Sequence, residues 1–186
     1  LGTDLLEHPE KAEGANNIVI VGGGVVGCET AHWLANEYGK NVTVLEMLPH
    51  FMMGVCTANR GHLLHYLEKS GVRLYNCTKV KALAKDGVYV EQNQSQTVPD
   101  PYNTWQPLLP PNIPNPMEKA IKEEIVEQKI PADLIVLAMG GKADETFFFE
   151  AGEEHLAKEI YNIGDSSRAG RVLEAVRGAY HLAVRI

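Results

Sequence analysis

Residues 17–29 read NIVIVGGGVVGCE, and this run predicts a buried strand that turns on glycines directly into a helix. Gly22, Gly24 and Gly27 match the pattern G-x-G-x-x-G. The first glycine permits a tight turn, the second lets the backbone approach a diphosphate, and the third lets the helix pack closely on the strand. The free amides and positive dipole end of that helix then predict a diphosphate site.

The residues that follow support a dinucleotide site over a glycine-rich loop of some other βαβ fold. The predicted helix ends at Gly39, and a second strand at 42–45 ends on Glu46. Glu46 lies 19 positions after Gly27, where a carboxylate can accept hydrogen bonds from the adenosine ribose hydroxyls. The first strand, the glycine turn, the helix and the acidic residue after the second strand follow one another in the order expected of a dinucleotide-binding unit. We therefore predict that this unit binds a dinucleotide.

Composition excludes several other classes of function. The chain has 186 residues, of which 45% are hydrophobic and 22% charged, as is typical of a globular protein. Its net charge of −7 argues against binding to nucleic acid or to an anionic membrane surface, because both need clustered Lys and Arg. No apolar run is long enough to span a bilayer. The chain opens on Leu1 without a signal pattern, so we expect a processed chain or a piece of a longer protein.

The cysteines and histidines do not form a recognisable reactive or metal centre in the sequence. Cys28, Cys56 and Cys77 form no C-x-x-C pair, and this sparse set favours reduced thiols in a cytoplasmic setting. We expect Cys28 to be a small packing residue beside the glycines. His62 and His65 lie three apart without an acid or cysteine at ligand spacing, so we expect packing or surface residues and no metal.

The rest of the chain predicts an α/β fold in three layers: a Rossmann-like parallel sheet with helices and an antiparallel β meander. A lead-in segment at 1–16 precedes it. Further along the chain, the pattern predicts helices at about 57–69 and 171–186, strands at 72–75, 132–139 and 159–163, and hairpin strands at 80–83 and 88–91.

Two segments are harder to assign. Residues 98–116 contain seven prolines, which predicts a long extended loop. We interpret it as an insertion rather than a lid, because long surface insertions cost little stability. The charged segment 118–128 is compatible with a helix by its apolar spacing, and with an antiparallel strand by its position after the hairpin.

Three motifs in this order resemble the pyridine nucleotide–disulfide oxidoreductase superfamily: VGGGVVGCE at 21–29, ADLIVLAMG at 132–140 and IYNIGD at 160–165. Together with VTVLEML at 42–48 and VLEAVRGAY at 172–180, they are most similar to the C-terminal part of old-yellow-enzyme-like NADH:flavin oxidoreductases. That group includes 2,4-dienoyl-CoA reductase and 2-enoate reductase. The resemblance covers nearly the whole chain except the proline-rich segment.

The resemblance implies a larger enzyme in which a barrel carries FMN and an iron–sulfur cluster. An FAD-binding domain follows, interrupted by an NAD(P)H-binding domain. Here there is no second G-x-G-x-x-G, no barrel and no cysteine cluster. We therefore expect 17–141 to be the NAD(H)-binding domain and 142–186 a strand–helix piece of the FAD-binding domain. Such a fragment is expected to be inactive alone, with the barrel and the other FAD half-domain as its partners.

The resemblance also assigns roles to individual residues. Glu29 would lie near the nicotinamide end of the helix, Gly140 would close the strand that returns to the flavin domain, and Asp165 would contact the ribityl or phosphate of FAD. No residue is predicted to be catalytic. The predicted cofactor-binding set is Gly22, Gly23, Gly24, Val25, Val26, Gly27, Glu29, Glu46, Met47, Gly140 and Asp165.

Glu46 favours NADH over NADPH, because its carboxylate repels a 2′-phosphate. An NADPH site calls for Arg or Lys just after the second strand, and the next such residue here is Arg60. His50 is the one nearby group that could approach a phosphate if protonated. Two alternatives stay open. The same fingerprint could bind the adenosine of FAD in a compact flavin domain, or the chain could be a non-catalytic nucleotide-binding or interaction module.

Overall fold

The β-branched run before the glycines is an inner strand of a parallel sheet. The computed structural model describes residues 1–105, 109, 112–113 and 115–186, and it divides into two units, Leu1–Gly140 and Gly141–Ile186. The strands of the first unit are β1 (Asn17–Val21), β2 (Asn41–Leu45), β3 (Arg73–Tyr75), β4 (Thr78–Ala84), β5 (Gly87–Asn93), β6 (Ile125–Pro131) and β7 (Leu134–Leu137). A parallel sheet has the order β3-β2-β1-β7, and an antiparallel sheet has the order β4-β5-β6.

Alternate residues of β1 face two different layers, as the two-residue period of a strand requires. Ile18 and Ile20 pack in a core with the helices α1 (Gly2–Glu7), α2 (Val25–Tyr38) and α3 (Thr57–Lys69). Val19 and Val21 pack instead against Val88, Val90 and Ile130 of the antiparallel sheet. The unit is therefore helices, parallel sheet and meander, which confirms the predicted three-layer α/β fold. The lead-in segment 1–16 contains α1 and a 3₁₀ turn at Pro9–Ala12.

Several local predictions match the structure closely. α2 ends at Tyr38 and is capped by the predicted Gly39, whose φ of 61° is left-handed, and α3 has the predicted bounds. The turn between the hairpin strands ends at Gly87 with a φ of 153°. In the segment 118–128, which allowed a helix or a strand, the last four residues belong to β6, which pairs with β5, and residues 118–124 are irregular.

The loop between β5 and β6 is closed at its base by one side chain. Asn93 donates to the carbonyl of Lys122 at 2.8 Å and accepts from the amides of Ser95 and Glu124 at 3.1 and 3.0 Å. These bonds join the two ends of the long insertion. Its interior can therefore vary without disturbing the strand pairing.

The first part of the proline-rich segment covers the open edge of the parallel sheet. Tyr102 donates its hydroxyl to the carbonyl of Val72 at 2.6 Å and accepts from the amide of Leu74 at 3.2 Å. Asn76 donates to the carbonyl of Pro99 at 2.8 Å. Edge strands expose unpaired backbone groups, and Tyr102 satisfies two groups at this edge. Residues 106–108, 110–111 and 114 of the predicted loop lie outside the described residues.

The second unit contains helices α4 (Thr146–Glu153) and α5 (Val172–Ala183) and a 3₁₀ turn at Gly164–Ser166. The predicted strand at 159–163 is wrong, because these residues are irregular. A strand needs a neighbour for its backbone hydrogen bonds, and the second unit contains no strand among its residues, all of which the structure describes. The predicted C-terminal helix is present as α5, but its apolar stripe, including Val172 and Val176, is exposed.

We expect Tyr102→Phe to lower the free energy of unfolding of the first unit by about 1–2 kcal/mol, since two backbone groups lose their partner. Trp33 and Trp105 both lie in this unit, so urea unfolding followed by tryptophan fluorescence measures the change. Tyr89→Phe is the matched control, because Tyr89 is about half exposed. Equal effects of the two substitutions would contradict a role for the hydroxyl at the sheet edge.

Candidate functional site

The carboxyl ends of β1, β2 and β7 meet at one edge of the parallel sheet. Val21 is paired with both Leu45 and Leu137, so Gly22, Glu46 and the residues from Ala138 onward emerge side by side. The chain leaves β1 towards β2 on one side and returns as β7 on the other. Such a reversal of strand order forms a crevice outside the carboxyl ends, which is where open α/β sheets bind ligands.

Two glycines of the fingerprint are required by the packing of the protein itself. Gly22 has a φ of 113°, and a Cβ there would overlap the carbonyl group of Ala138. A Cβ on Gly27 would overlap the carbonyl oxygen of Gly22. These contacts bring the first turn of α2 against the end of β1, which confirms the close helix–strand packing expected from the motif.

Gly24 differs from Gly22 and Gly27, the other two glycines of the fingerprint, because the space beside it is open. A Cβ built there meets no atom within 4 Å, and its φ of −72° suits any residue. The amides of Gly24, Val25, Val26 and Gly27 donate to no acceptor within the described part of the chain, and the first bonded amide is that of Cys28. The start of α2 therefore offers unpaired donors around an open position, as a bound anion requires.

Glu46 is fixed by two backbone amides at this edge. Its carboxylate accepts from the amide of Gly23 at 2.8 Å and from the amide of Leu48 at 2.9 Å. The Gly23 amide, which belongs to the predicted cofactor-binding set, is thus occupied by the chain itself. Each carboxylate oxygen has further acceptor capacity, so the sugar hydroxyls of a nucleotide can still donate to Glu46.

Apolar side chains lie on both sides of the glycine turn. Met47 is 67% exposed next to Glu46, while Val26 is 43% and Met139 69% exposed. Glu29 is also exposed, one turn into α2. Met139, two residues after the end of β7 and directly before Gly140, is not in the predicted cofactor-binding set.

His50 and Arg60, the first two basic residues after Glu46 in the sequence, are both partly or fully withdrawn from solvent. Arg60 is 3% exposed, and it donates to the carbonyls of Phe51 at 2.9 Å and Asn103 at 3.0 Å. Burial and the charge of Arg60 lower the pKa of His50, which Glu118, at 4.0 Å, raises in part. His50 is therefore biased towards its neutral form.

Other residues singled out from the sequence have local contacts of their own. His62 and His65 each contact the ring of Tyr66 edge-on, and no group of three or more potential metal ligands occurs among the described residues. Asp165 belongs to the second unit, where its carboxylate accepts from the amide of Gly170 at 3.1 Å. None of the helices in the described part of the chain has the length and apolar character needed to cross a bilayer.

Comparison with known proteins agrees with the fold and the fingerprint. Residues 3–167 match the family model of the pyridine nucleotide-disulphide oxidoreductases. The chain belongs to this family. NAD(H) and FAD are the cofactors that the family and its NADH oxidase member imply.

Individual relatives are all much longer than this chain. It is 26% identical over 183 residues to an NADH oxidase of Thermoanaerobacter brockii, covering 98% of this chain and 23% of the relative. It is 22% identical over 180 residues to a cinnamate reductase of Clostridium sporogenes, covering 95% of this chain and 22% of the relative. The structure of a 2-naphthoyl-CoA reductase complex matches with a TM-score of 0.72 and 25% identity, covering 99% of this chain and 23% of that structure's chain. The chain thus spans less than a quarter of these relatives.

Cys28 is a packing residue, as predicted. It is completely buried, its thiol donates to the carbonyl of Gly23 at 3.6 Å, and burial together with Glu46 and Glu29 raises its pKa to about 12. The thiolate is the reactive form of cysteine, so burial and the raised pKa both disfavour reaction of Cys28 at neutral pH.

We expect the three thiols to react with a disulfide reagent at pH 8 in a fixed order. Cys56 is exposed and reacts first, whereas Cys77 is half-buried with a raised pKa and reacts more slowly. Cys28 reacts only after denaturant is added. Absorbance of the released thiol gives the rates, and Cys56→Ser removes the first phase. A rapid second thiol in that variant would contradict this order.

Proposed function

We propose that this chain is the NADH-binding part of a larger flavin-dependent oxidoreductase, and that it delivers hydride from NADH to FAD. The observation that carries the proposal is the open position at Gly24, surrounded by unpaired amides and next to the fixed carboxylate of Glu46. A dinucleotide needs this combination, because one end of the site must hold a diphosphate and the other a sugar.

The diphosphate would lie over Gly24, at the start of α2. The amides of Val25, Val26 and Gly27 can donate to its oxygens, and the helix dipole favours its negative charge. The amide of Gly23 contributes indirectly, since it holds Glu46 in place. The adenosine ribose would then donate its hydroxyls to Glu46, while Met47 supplies an apolar surface for the adenine.

The nicotinamide would extend from the diphosphate to the other side of the glycine turn. There Val26 and Met139 present apolar surface, and the space beside Gly140 is open. Glu29 is exposed on the first turns of α2. When both cofactors are bound, NADH supplies a hydride and FAD accepts it. The residues of this chain bind and orient the nucleotide, and none of them acts as an acid or base.

NADH rather than NADPH fits this site. A 2′-phosphate would meet the carboxylate of Glu46, which two amides prevent from turning away. It would find no compensating cation in Arg60 or His50, because Arg60 is buried and His50 has a lowered pKa. The preference for NADH over NADPH therefore comes from repulsion between Glu46 and the 2′-phosphate, which neither Arg60 nor His50 offsets.

The domain organisation is also part of the proposal. We assign 17–141 to NAD(H) binding and 142–186 to a piece of an FAD-binding domain, and the division of the chain near residue 140 supports this. The exposed apolar stripe of α5 is what a helix of an incomplete domain would present. An FMN and iron–sulfur barrel and the other FAD half-domain would complete the enzyme and select its final substrate. The three unpaired cysteines fit a cytoplasmic setting.

We expect Gly24→Ala to weaken NADH binding by at least about tenfold, or 1.4 kcal/mol, because the added methyl group occupies the diphosphate position. The thermal midpoint should stay the same, since nothing in the protein meets that methyl group. Titration calorimetry with NADH measures the affinity.

Two variants serve as controls for Gly24→Ala. Gly14→Ala also adds a methyl group in open space, away from the crevice, and should change neither property. Gly22→Ala should lower the thermal midpoint, because it places a side chain at positive φ against Ala138. Unchanged NADH affinity in Gly24→Ala would refute the proposed diphosphate position. If the wild-type chain binds FAD more tightly than NADH, the alternative of a compact flavin domain is favoured.

The role of Glu46 can be tested by its amide variant. Glu46→Gln should weaken NADH binding roughly tenfold, through lost hydrogen bonds to a charged acceptor, and weaken NADPH binding less. The affinity ratio of the two cofactors, measured by titration, should therefore move towards one. Glu37→Gln makes the same change of net charge at an exposed position on α2 and should leave the ratio unchanged. Wild-type protein that binds NADPH more tightly than NADH would contradict the proposed selectivity.

A further inference from the structure

Arg60 is a buried cation without an acidic partner. It is 3% exposed, and its polar contacts are backbone carbonyls: Phe51 at 2.9 Å, Asn103 at 3.0 Å and Thr104 at 3.5 Å. No carboxylate among the described residues lies within ion-pair distance of it. Buried arginines are normally paired with an acid, because carbonyl dipoles solvate the charge but do not neutralise it.

This cation lies directly behind the glycine turn. Phe51, whose carbonyl accepts from Arg60, packs its ring against Gly23, where a Cβ would overlap that ring. The amide of Met52 donates to the carbonyl of Gly23 at 2.8 Å. The charge of Arg60 also acts on the thiol of Cys28, which donates to the same carbonyl. Arg60 is therefore separated from the turn by one layer of side chain and backbone.

The residues predicted to bind the cofactor, in contrast, include the acids Glu29 and Glu46 and no Lys or Arg, and the protein carries a net charge of −7. The amides of α2 supply only partial charges to a diphosphate that carries two negative charges. Because water screens a buried charge less than an exposed one, Arg60 can act across the intervening layer.

We propose that Arg60 is the counter-charge of the bound diphosphate, and that it raises affinity for the dinucleotide through the glycine turn without touching the ligand. This rests on the proposed function, because it takes the diphosphate position at Gly24 as given. It adds a positioning residue from α3 to a site built otherwise from α2 and β2. A purely structural role, in which Arg60 only ties the loops at 51 and 103–104 to α3, is the competing explanation.

Ligands that differ in charge separate these explanations. ADP-ribose carries the diphosphate, whereas adenosine has the same adenine and ribose without phosphate. Arg60→Gln in the 186-residue chain should weaken ADP-ribose binding roughly three- to tenfold and change adenosine binding less than about twofold, because only one ligand is charged. Arg60→Lys keeps the charge and should retain most of the affinity. Arg73→Gln removes an exposed arginine of the same unit and should have little effect.

The results can be read by NMR titration of each ligand. Equal weakening of adenosine and ADP-ribose in Arg60→Gln, or equal loss in Arg60→Lys, would show a structural role and overturn the inference. Unchanged ADP-ribose binding in Arg60→Gln would overturn it as well. Wild-type protein that fails to bind ADP-ribose would instead refute the proposed function, on which the inference depends.

A second measurement does not depend on the variant folding. The Nε–H of Arg60 is held by the carbonyl of Phe51, and its NMR signal can be followed in the wild-type protein. We expect this signal to shift on addition of ADP-ribose or inorganic pyrophosphate, and to stay in place with adenosine. A signal that responds equally to adenosine, or not at all to ADP-ribose, would contradict the inference.

Discussion

The close approach of three backbone segments at Gly22, Gly27 and Ala138 sets the geometry of the whole crevice. Neither glycine has room for a Cβ, so the first turn of α2 lies directly against the end of β1 and beside β7. That approach points the unpaired amides of α2 into the open space at Gly24. A larger residue at either glycine would push the helix away, and the amides would no longer converge on one anion.

Glu46 joins this geometry to the choice of nucleotide. Its bond to Gly23 connects the end of β2 to the glycine turn, and its bond to Leu48 connects β2 to the loop that follows. The carboxylate is therefore held before any ligand arrives. On the proposed assignment, this lowers the entropic cost of binding a sugar, and the same rigidity would keep the carboxylate in the path of a 2′-phosphate. One side chain would thus contribute both to the preorganisation of the site and to its selectivity.

The features that could be predicted from the sequence are those determined by neighbours along the chain. The strand before the glycines, the end of α2 at Gly39 and the position of Glu46 follow from local residue types. The contacts of Arg60 with Asn103 and Thr104 and the contact of Phe51 with Gly23 join residues more than 25 positions apart, and local residue types do not predict them. The strand predicted at 159–163 is absent for a related reason. A strand forms only when a second segment pairs with it, and local residue types do not show whether such a segment is present.

The position of Arg60 also bears on selectivity. A lysine or arginine in the loop after Glu46 would attract the diphosphate, but it would attract a 2′-phosphate as well, and NADPH would gain more than NADH. A cation behind the glycine turn has the chain's own atoms between it and the proposed ligand, because Arg60 donates to the carbonyl of Phe51 and the ring of Phe51 packs against Gly23. On the proposed assignment, burial of Arg60 allows an acidic protein to bind an anionic ligand while Glu46 continues to exclude the additional phosphate. The desolvation that lowers the pKa of Arg60 is then offset when the ligand is bound.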